Sequence, residues 1–174
     1  SVSLNAANNS LTVNWSEAVY TDTSAGALTA ADFVLSISGG TATVAATPSS
    51  ISISGTAITL GVTISGTANG SETLTVNPAS ATAIYDANDN AAAASQSNNT
   101  VSLTEKVVPT ISSVSLNSAN NSLTVNWSEA VYTDTSAGAL VVGDFELTIA
   151  GGSATLGSAT PTSISISGTA VTLG

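Results

Sequence analysis

The chain has 174 residues, one basic against eleven acidic, a formal charge of −10, and no Cys, Met or His. A phosphate backbone is held by Lys and Arg, so nucleic acid and anionic membrane surfaces are excluded as partners, and without Cys and His so are disulfides, thiol chemistry, zinc sites and most general-base catalysis. With 43% apolar and 7% charged residues, the chain is too apolar for a disordered acidic tail and too rich in small residues for a helical bundle.

Apolar residues alternating with Ser, Thr or Asn, and bounded by Gly, Asn or Pro, predict strands in chain order at Val2 to Leu4, Leu11 to Trp15, Phe33 to Ile37, Ile51 to Ile53, Ile58 to Ile64, Leu74 to Val76 and Val101 to Leu103. Thr29-Ala30-Ala31-Asp32 predicts a one-turn capping box. No apolar run reaches the roughly 18 residues of a membrane span, and any export signal is expected outside this segment.

An internal repeat organises these elements. Residues 1–61 recur from Ser113 at an offset of 112, then 113 after an insertion near Gly157, with about four positions in five identical. Phe33, Leu35 and Ile37 return as Phe145, Leu147 and Ile149, whereas Val34 becomes Glu146 and Ser38 becomes Ala150. Constancy at every second position marks one buried face of a strand. The capping box is expected to be lost in the second copy, where Val141-Val142-Gly143-Asp144 stands. A boundary at Val107-Val108-Pro109-Thr110 divides the chain into a nearly complete repeat, 1–107, and a truncated one, 108–174, that lacks its last strands. The chain therefore reads as a window on a longer tandem array, since half a sandwich exposes unpaired edges.

Seven strands in about 110 residues, counting 41–54 as one strand interrupted around Pro48, give the size and rhythm of an all-β, immunoglobulin-like Greek-key β-sandwich. With that parity the loop 16–32, the turn at Gly55 and the connection 77–99 share one pole.

The order NNSLTVNWSEAVY, ADFVLSISGG, SISISGTAITL, NGSETLTVNP and IYDANDNAAA resembles the bacterial immunoglobulin-like repeats strung along long surface, S-layer-associated and adhesin-type proteins. The resemblance covers the whole first repeat and all of the second that is present. It implies spacers, adhesin stalks or surface-layer components, some related repeats binding calcium. Asp86-Ala87-Asn88-Asp89-Asn90 also matches the linker motif of cadherins, but a further strand, Val101 to Leu103, follows it here. The match is read as convergence on an acidic turn.

Glu17, Asp22, Asp32, Asp86 and Asp89 gather at the shared pole by strand parity, and Glu129, Asp134 and Asp144 repeat three of them in the second copy. Carboxylates packed together repel unless solvated or neutralised by a cation, and Ca2+ suits irregular oxygen-rich loops. The alternative is that each acid serves its own turn and keeps the chain soluble. Lys106, the single basic side chain, is expected on the surface. Trp15 and Trp127 share an alternating face with Leu11 and Val13, or Leu123 and Val125, and are expected as core anchors.

Catalysis finds no constellation: Asp86 and Asp89 lie in a short polar loop without a substrate-gripping residue other than Tyr85. The expected function is non-enzymatic, a structural segment of an extracellular protein acting as stalk, spacer or filament body. Its partners would be neighbouring repeats and copies of itself. The alternative is an adhesive module whose polar loops or outward Thr12, Thr59 and Thr75 recognise a sugar, ice or a host surface.

Overall fold

Alternation of large apolar with small polar residues leaves each strand one face to bury, and strand register decides how those faces meet. The computed structural model describes all 174 residues. It is all-β with antiparallel sheets and no helix beyond two single 3-10 turns, so no helix is long and apolar enough to cross a membrane. The chain forms two compact units, Ser1–Val107 and Val108–Gly174.

In the first unit, β1 (Val2–Leu4), β2 (Ser10–Asn14), β5 (Ile51–Ser54) and β6 (Ala57–Gly61) form a sheet in the order β1-β2-β6-β5. A second sheet, β3-β8-β9, is made by β3 (Phe33–Ser38), β8 (Thr73–Pro78) and β9 (Thr100–Ser102), and β4 (Thr43–Val44) pairs with β7 (Ile64–Ser65). The register sets Leu11 opposite Leu60 and Val13 opposite Ile58 in one sheet, and Leu35 opposite Val76 and Ile37 opposite Leu74 in the other. Leu11, Val13, Ile58 and Leu60 join Phe33, Leu35, Leu74 and Val76 in a single buried cluster. Burying each such side chain fully contributes about 1.5–3 kcal/mol. Two sheets sharing one core in this way are compatible with a β-sandwich.

The expected strands at 41–54 and 58–64 are each two strands. Pro48 is buried between β4 and β5, where its missing N–H cannot continue a ladder. Val62, 5% exposed, separates β6 from β7, and its amide donates to Asn9 O at 2.9 Å, the last bond in the β2–β6 register before the chain crosses. At both points the chain passes from one sheet to another, so the first unit has nine strand segments where the pattern suggested seven.

The second unit repeats the first sheet. Here β10 (Ile111–Leu116), β11 (Leu123–Trp127), β12 (Ile164–Ser167) and β13 (Ala170–Leu173) take the order β10-β11-β13-β12, with Leu123 opposite Leu173 and Val125 opposite Val171. The single turn at Ala30–Asp32 also recurs at Val142–Asp144, although Thr29 is replaced by Val141. It survives because the aspartate holds it: Asp32 Oδ2 accepts the amide of Thr29, and Asp144 Oδ2 that of Val141, each at 2.7 Å.

One difference between the copies is large. Phe145–Ala150, the counterpart of β3, forms no strand, because the second unit holds no counterpart of β8 to pair with it. Phe33 and Leu35 are 2% exposed, whereas Phe145 and Leu147 are only half-buried over a core of Val125, Val171 and Leu173.

Candidate functional site

The pole expected to collect the acidic loops is assembled by backbone pairing. Tyr20 and Tyr85 exchange two backbone hydrogen bonds of 2.8 Å, joining the loop 16–32 to the connection 77–99, and Trp15 N donates to Thr56 O beside the Gly55 turn. Ala79 N donates to Asp32 O at 2.9 Å, closing the same end of the unit.

Within these loops five of the eight carboxylates, those of Asp22, Asp32, Asp86, Asp134 and Asp144, accept hydrogen bonds from their own turns. Asp22 Oδ1 accepts the amides of Ser24 and Gly26, and Asp134 Oδ1 those of Ser136 and Gly138. Asp32 accepts the amide and hydroxyl of Thr29 and the hydroxyl of Thr21. Asp86 accepts the Asn90 side chain and the amides of Asn88 and Asn90. The Asn90 side chain, then its amide, then that of Asn88 hold the Asp86 carboxyl below its ordinary range. Asp89 is exposed at the left-handed corner of that turn, with φ +63°, while exposed Glu17 and half-buried Glu129 make no hydrogen bond. Ca2+ needs six to eight oxygens pointing at one centre, and no three of these acids are brought together to hold a metal ion. Asp22, Asp86 and Asp134 form Asx turns, and Asp32 and Asp144 hold the single 3-10 turns.

The acid that the fold isolates, Glu72, lies outside the loops of the acidic pole. Glu72 precedes β8 and is fully buried. Its Oε1 accepts the amides of Thr41 and Ala42 at 2.9 and 3.1 Å, and that of Asn69 reaches both carboxylate oxygens at 3.2 and 3.0 Å. Burial acts to raise its pKa, but the amides of Ala42, Thr41, Glu72 itself and Asn69 together outweigh it and hold the group at about 2. The cradle depends on Gly39 and Gly40, at φ +77° and +58°, since a Cβ on Gly40 would overlap the Glu72 carboxylate. The signal was there in Gly39-Gly40 and Asn69-Gly70-Ser71-Glu72, two glycine turns with one acid beside them.

Asn8, also missed, is 4% exposed with φ +58°. Its side chain donates to Thr104 O at 2.7 Å and accepts from Thr104 N at 2.8 Å, tying the β1-β2 hairpin to the segment after β9.

The remaining surface has two hollows and one ordered face. A cleft of about 60 Å³ beside Trp15, Asn77 and Asn99 is far smaller than the roughly 300 Å³ and upward of ligand sites. A groove of about 450 Å³ runs along Leu35 to Val44 and is walled by small and aliphatic residues, without a charged or aromatic one. Trp15 and Trp127 pack on their unit's core, each with its indole N–H buried and unpartnered. Lys106 is exposed. On the outward face of the first sheet, Ser3, Thr12, Thr59 and Ser52 stand in one register row. Ser115, Thr124, Thr172 and Ser165 repeat that row in the second unit. Thr75 lies in the other sheet, opposite Ser36 and Thr100.

Comparison with protein-family models, with curated proteins and with solved structures found no match to this chain.

Proposed function

We propose that the chain is a non-enzymatic repeat segment of an extracellular bacterial surface protein, built of immunoglobulin-like Greek-key β-sandwich units and acting as stalk, spacer or filament body. The observation supporting this reading is the recurrence of one four-stranded sheet, in the same order and register, at two places in one chain. Its principal polar groups are spent internally. Glu72, Asp22, Asp32 and Asp86 close turns, and Asn8 locks the opening hairpin to the closing segment. A pull between the two ends of the first unit loads the Asn8–Thr104 bonds, so the polar chemistry serves cohesion. The absence of Cys suits a chain that folds after export without disulfides.

Self-association into filaments is a form of the same role. The outer strands β5 and β12 present open edges bearing Ile53 and Ile166, 46% and 48% exposed, without Lys or Pro to block pairing. A second reading, an adhesive face for a sugar, ice or a host surface, is favoured by the hydroxyl row repeated in both units. Screening the purified chain against a glycan array and for ice-shaping activity separates the two. The structural reading expects neither. Saturable binding abolished by Thr12→Val and Thr59→Val, with the fold retained, would replace it with the adhesive one.

A further inference from the structure

Among the asparagines of the chain, only Asn69 is followed by glycine. An asparagine side-chain amide is open to attack by the backbone nitrogen of the next residue, and glycine, lacking a Cβ, permits the approach that other residues hinder. The fold leaves this pair free to react. Gly70 N and Asn69 Nδ2 donate to no group in the chain, and both residues are exposed. Asn69 Oδ1 accepts the amide of Ser71 at 3.0 Å, which polarises the carbonyl under attack and stabilises the charge that develops on its oxygen. Elsewhere the attacking nitrogen is engaged. The amide after Asn8, Asn9, Asn120 or Asn121 is held by the side chain of Asn5 or Asn117, and that after Asn14 or Asn126 by a backbone carbonyl.

What surrounds Asn69 gives such a reaction a consequence. Its backbone N–H donates to both carboxylate oxygens of buried Glu72, at 3.2 and 3.0 Å, and the Glu105 side chain packs against Gly70. A carboxylate made at residue 69 therefore enters a turn that already holds one buried negative charge, in a chain whose only basic side chain is Lys106. Like charges at this range disfavour each other's ionised form, and with one of the pair buried the repulsion is only partly screened.

We infer that Asn69-Gly70 is a site of spontaneous modification by water whose products loosen the Glu72 cradle. Gly70 N gives its proton to solvent base and bonds to Asn69 Cγ. The Cγ–Nδ2 bond breaks, and Nδ2 takes a proton from water and leaves as ammonia. Water then opens the cyclic imide at either carbonyl, giving aspartate, or isoaspartate with the main chain running through Cβ and Cγ. The sum is asparagine plus water to acid plus ammonia, with no oxidant or enzyme. Either product adds a negative charge beside Glu72, and isoaspartate also lengthens the turn by one backbone atom. The first unit thereby ages at an exposed residue and loosens at a buried one. The inference is independent of the stalk reading, since it concerns only the chemistry of this turn.

The test incubates the 174-residue chain in warm, mildly alkaline buffer and follows it by peptide mapping with mass spectrometry, with isoaspartate read by methyltransferase labelling. The mass gain of amide-to-acid conversion should appear at Asn69 before any other asparagine, with isoaspartate among the products, and the melting temperature of the first unit should fall in step. Asn69→Gln should hold its melting temperature through the same incubation, because the longer side chain closes a ring far more slowly. Asn69→Asp, which carries the charge from the start, should melt below the parent before any incubation. In Glu72→Gln, where the buried charge is gone, conversion should lower the melting temperature less. An Asn69 that stays intact, or converts only after other asparagines, overturns the inference. Conversion without a fall in melting temperature, Asn69→Asp melting with the parent, or an equal fall in Glu72→Gln overturns the link to the cradle.

Discussion

The carboxylate of Glu72 lies against the α-carbon of Gly40, close enough that no side chain fits at position 40 while Glu72 receives the amides of Thr41 and Ala42. The matching Gly152 has open space in the same conformation, so the two sites separate steric from backbone cost within one chain. Gly152→Ala should destabilise its unit by about 1 kcal/mol, the left-handed penalty alone. Gly40→Ala should cost about 2–4 kcal/mol, because overpacking adds to that penalty. Denaturant unfolding monitored separately in each unit by exchange checks the difference; equal costs would mean that Glu72 does not occupy the cradle.

Acid should loosen the first unit through the same residue. Glu72 titrates at about 2 in the folded chain against an ordinary value of 4.5. Folding therefore favours its ionised form. That contribution is complete above the ordinary value and is lost as pH falls from there through about 2. Melting temperature measured across this window should fall in the parent chain and fall less steeply in Glu72→Gln. Asp86, whose shift has the same sign, contributes in the same direction, so Asp86→Asn serves as the comparison. An unchanged slope in Glu72→Gln would contradict the role given to the buried acid.

Asn8 and Asn120 form a second natural pair. Asn8 holds Thr104 through two hydrogen bonds, while Asn120 is exposed. Replacement by Ala should cost about 2–4 kcal/mol at position 8, where the left-handed strain is joined by unsatisfied backbone groups, and about 1 kcal/mol at position 120. Chemical denaturation of each variant reads this directly, and a cost at Asn120 equal to that at Asn8 would show that Thr104 adds nothing.

Much of the fold was legible in period-2 alternation, because Leu11, Val13, Ile58 and Leu60 sit on one face by spacing alone. Pro48 marks an interruption but not that the chain changes sheet there, and the crossing at Val62 is hidden because the alternation of 58–64 continues through it. The acidic pole shows the same limit. Strand parity brings loops 16–32 and 77–99 together, and the Tyr20–Tyr85 bonds join them. Where a carboxylate points within its loop depends on amides two to four residues away, as at Asp22 and Asp86. Glu72 lay hidden for a related reason: its partners Thr41 and Ala42 are 31 and 30 residues distant, and only the paired sheets bring them to it. Phe145–Ala150 adds that a strand pattern is a capacity, realised only when a neighbouring strand is present.

Calcium supplies a direct check on the loop carboxylates. With Asp22, Asp32 and Asp86 engaged in their own turns, millimolar Ca2+ and excess chelator should give the same melting temperature. A ligand bound only to the folded state must raise it by mass action. A rise abolished by Asp22→Asn or Asp86→Asn would overturn the turn-acceptor account and put a metal at this pole.

Single-molecule stretching between the chain ends tests the central claim, that the first unit is a cohesive mechanical element clamped by Asn8 and Thr104. At about 3.5 Å per residue, cooperative opening of Ser1–Val107 should appear as one force peak releasing roughly 35 nm of contour, and Asn8→Ala should lower its force. Smooth extension without a peak, or a peak indifferent to Asn8→Ala, would contradict it.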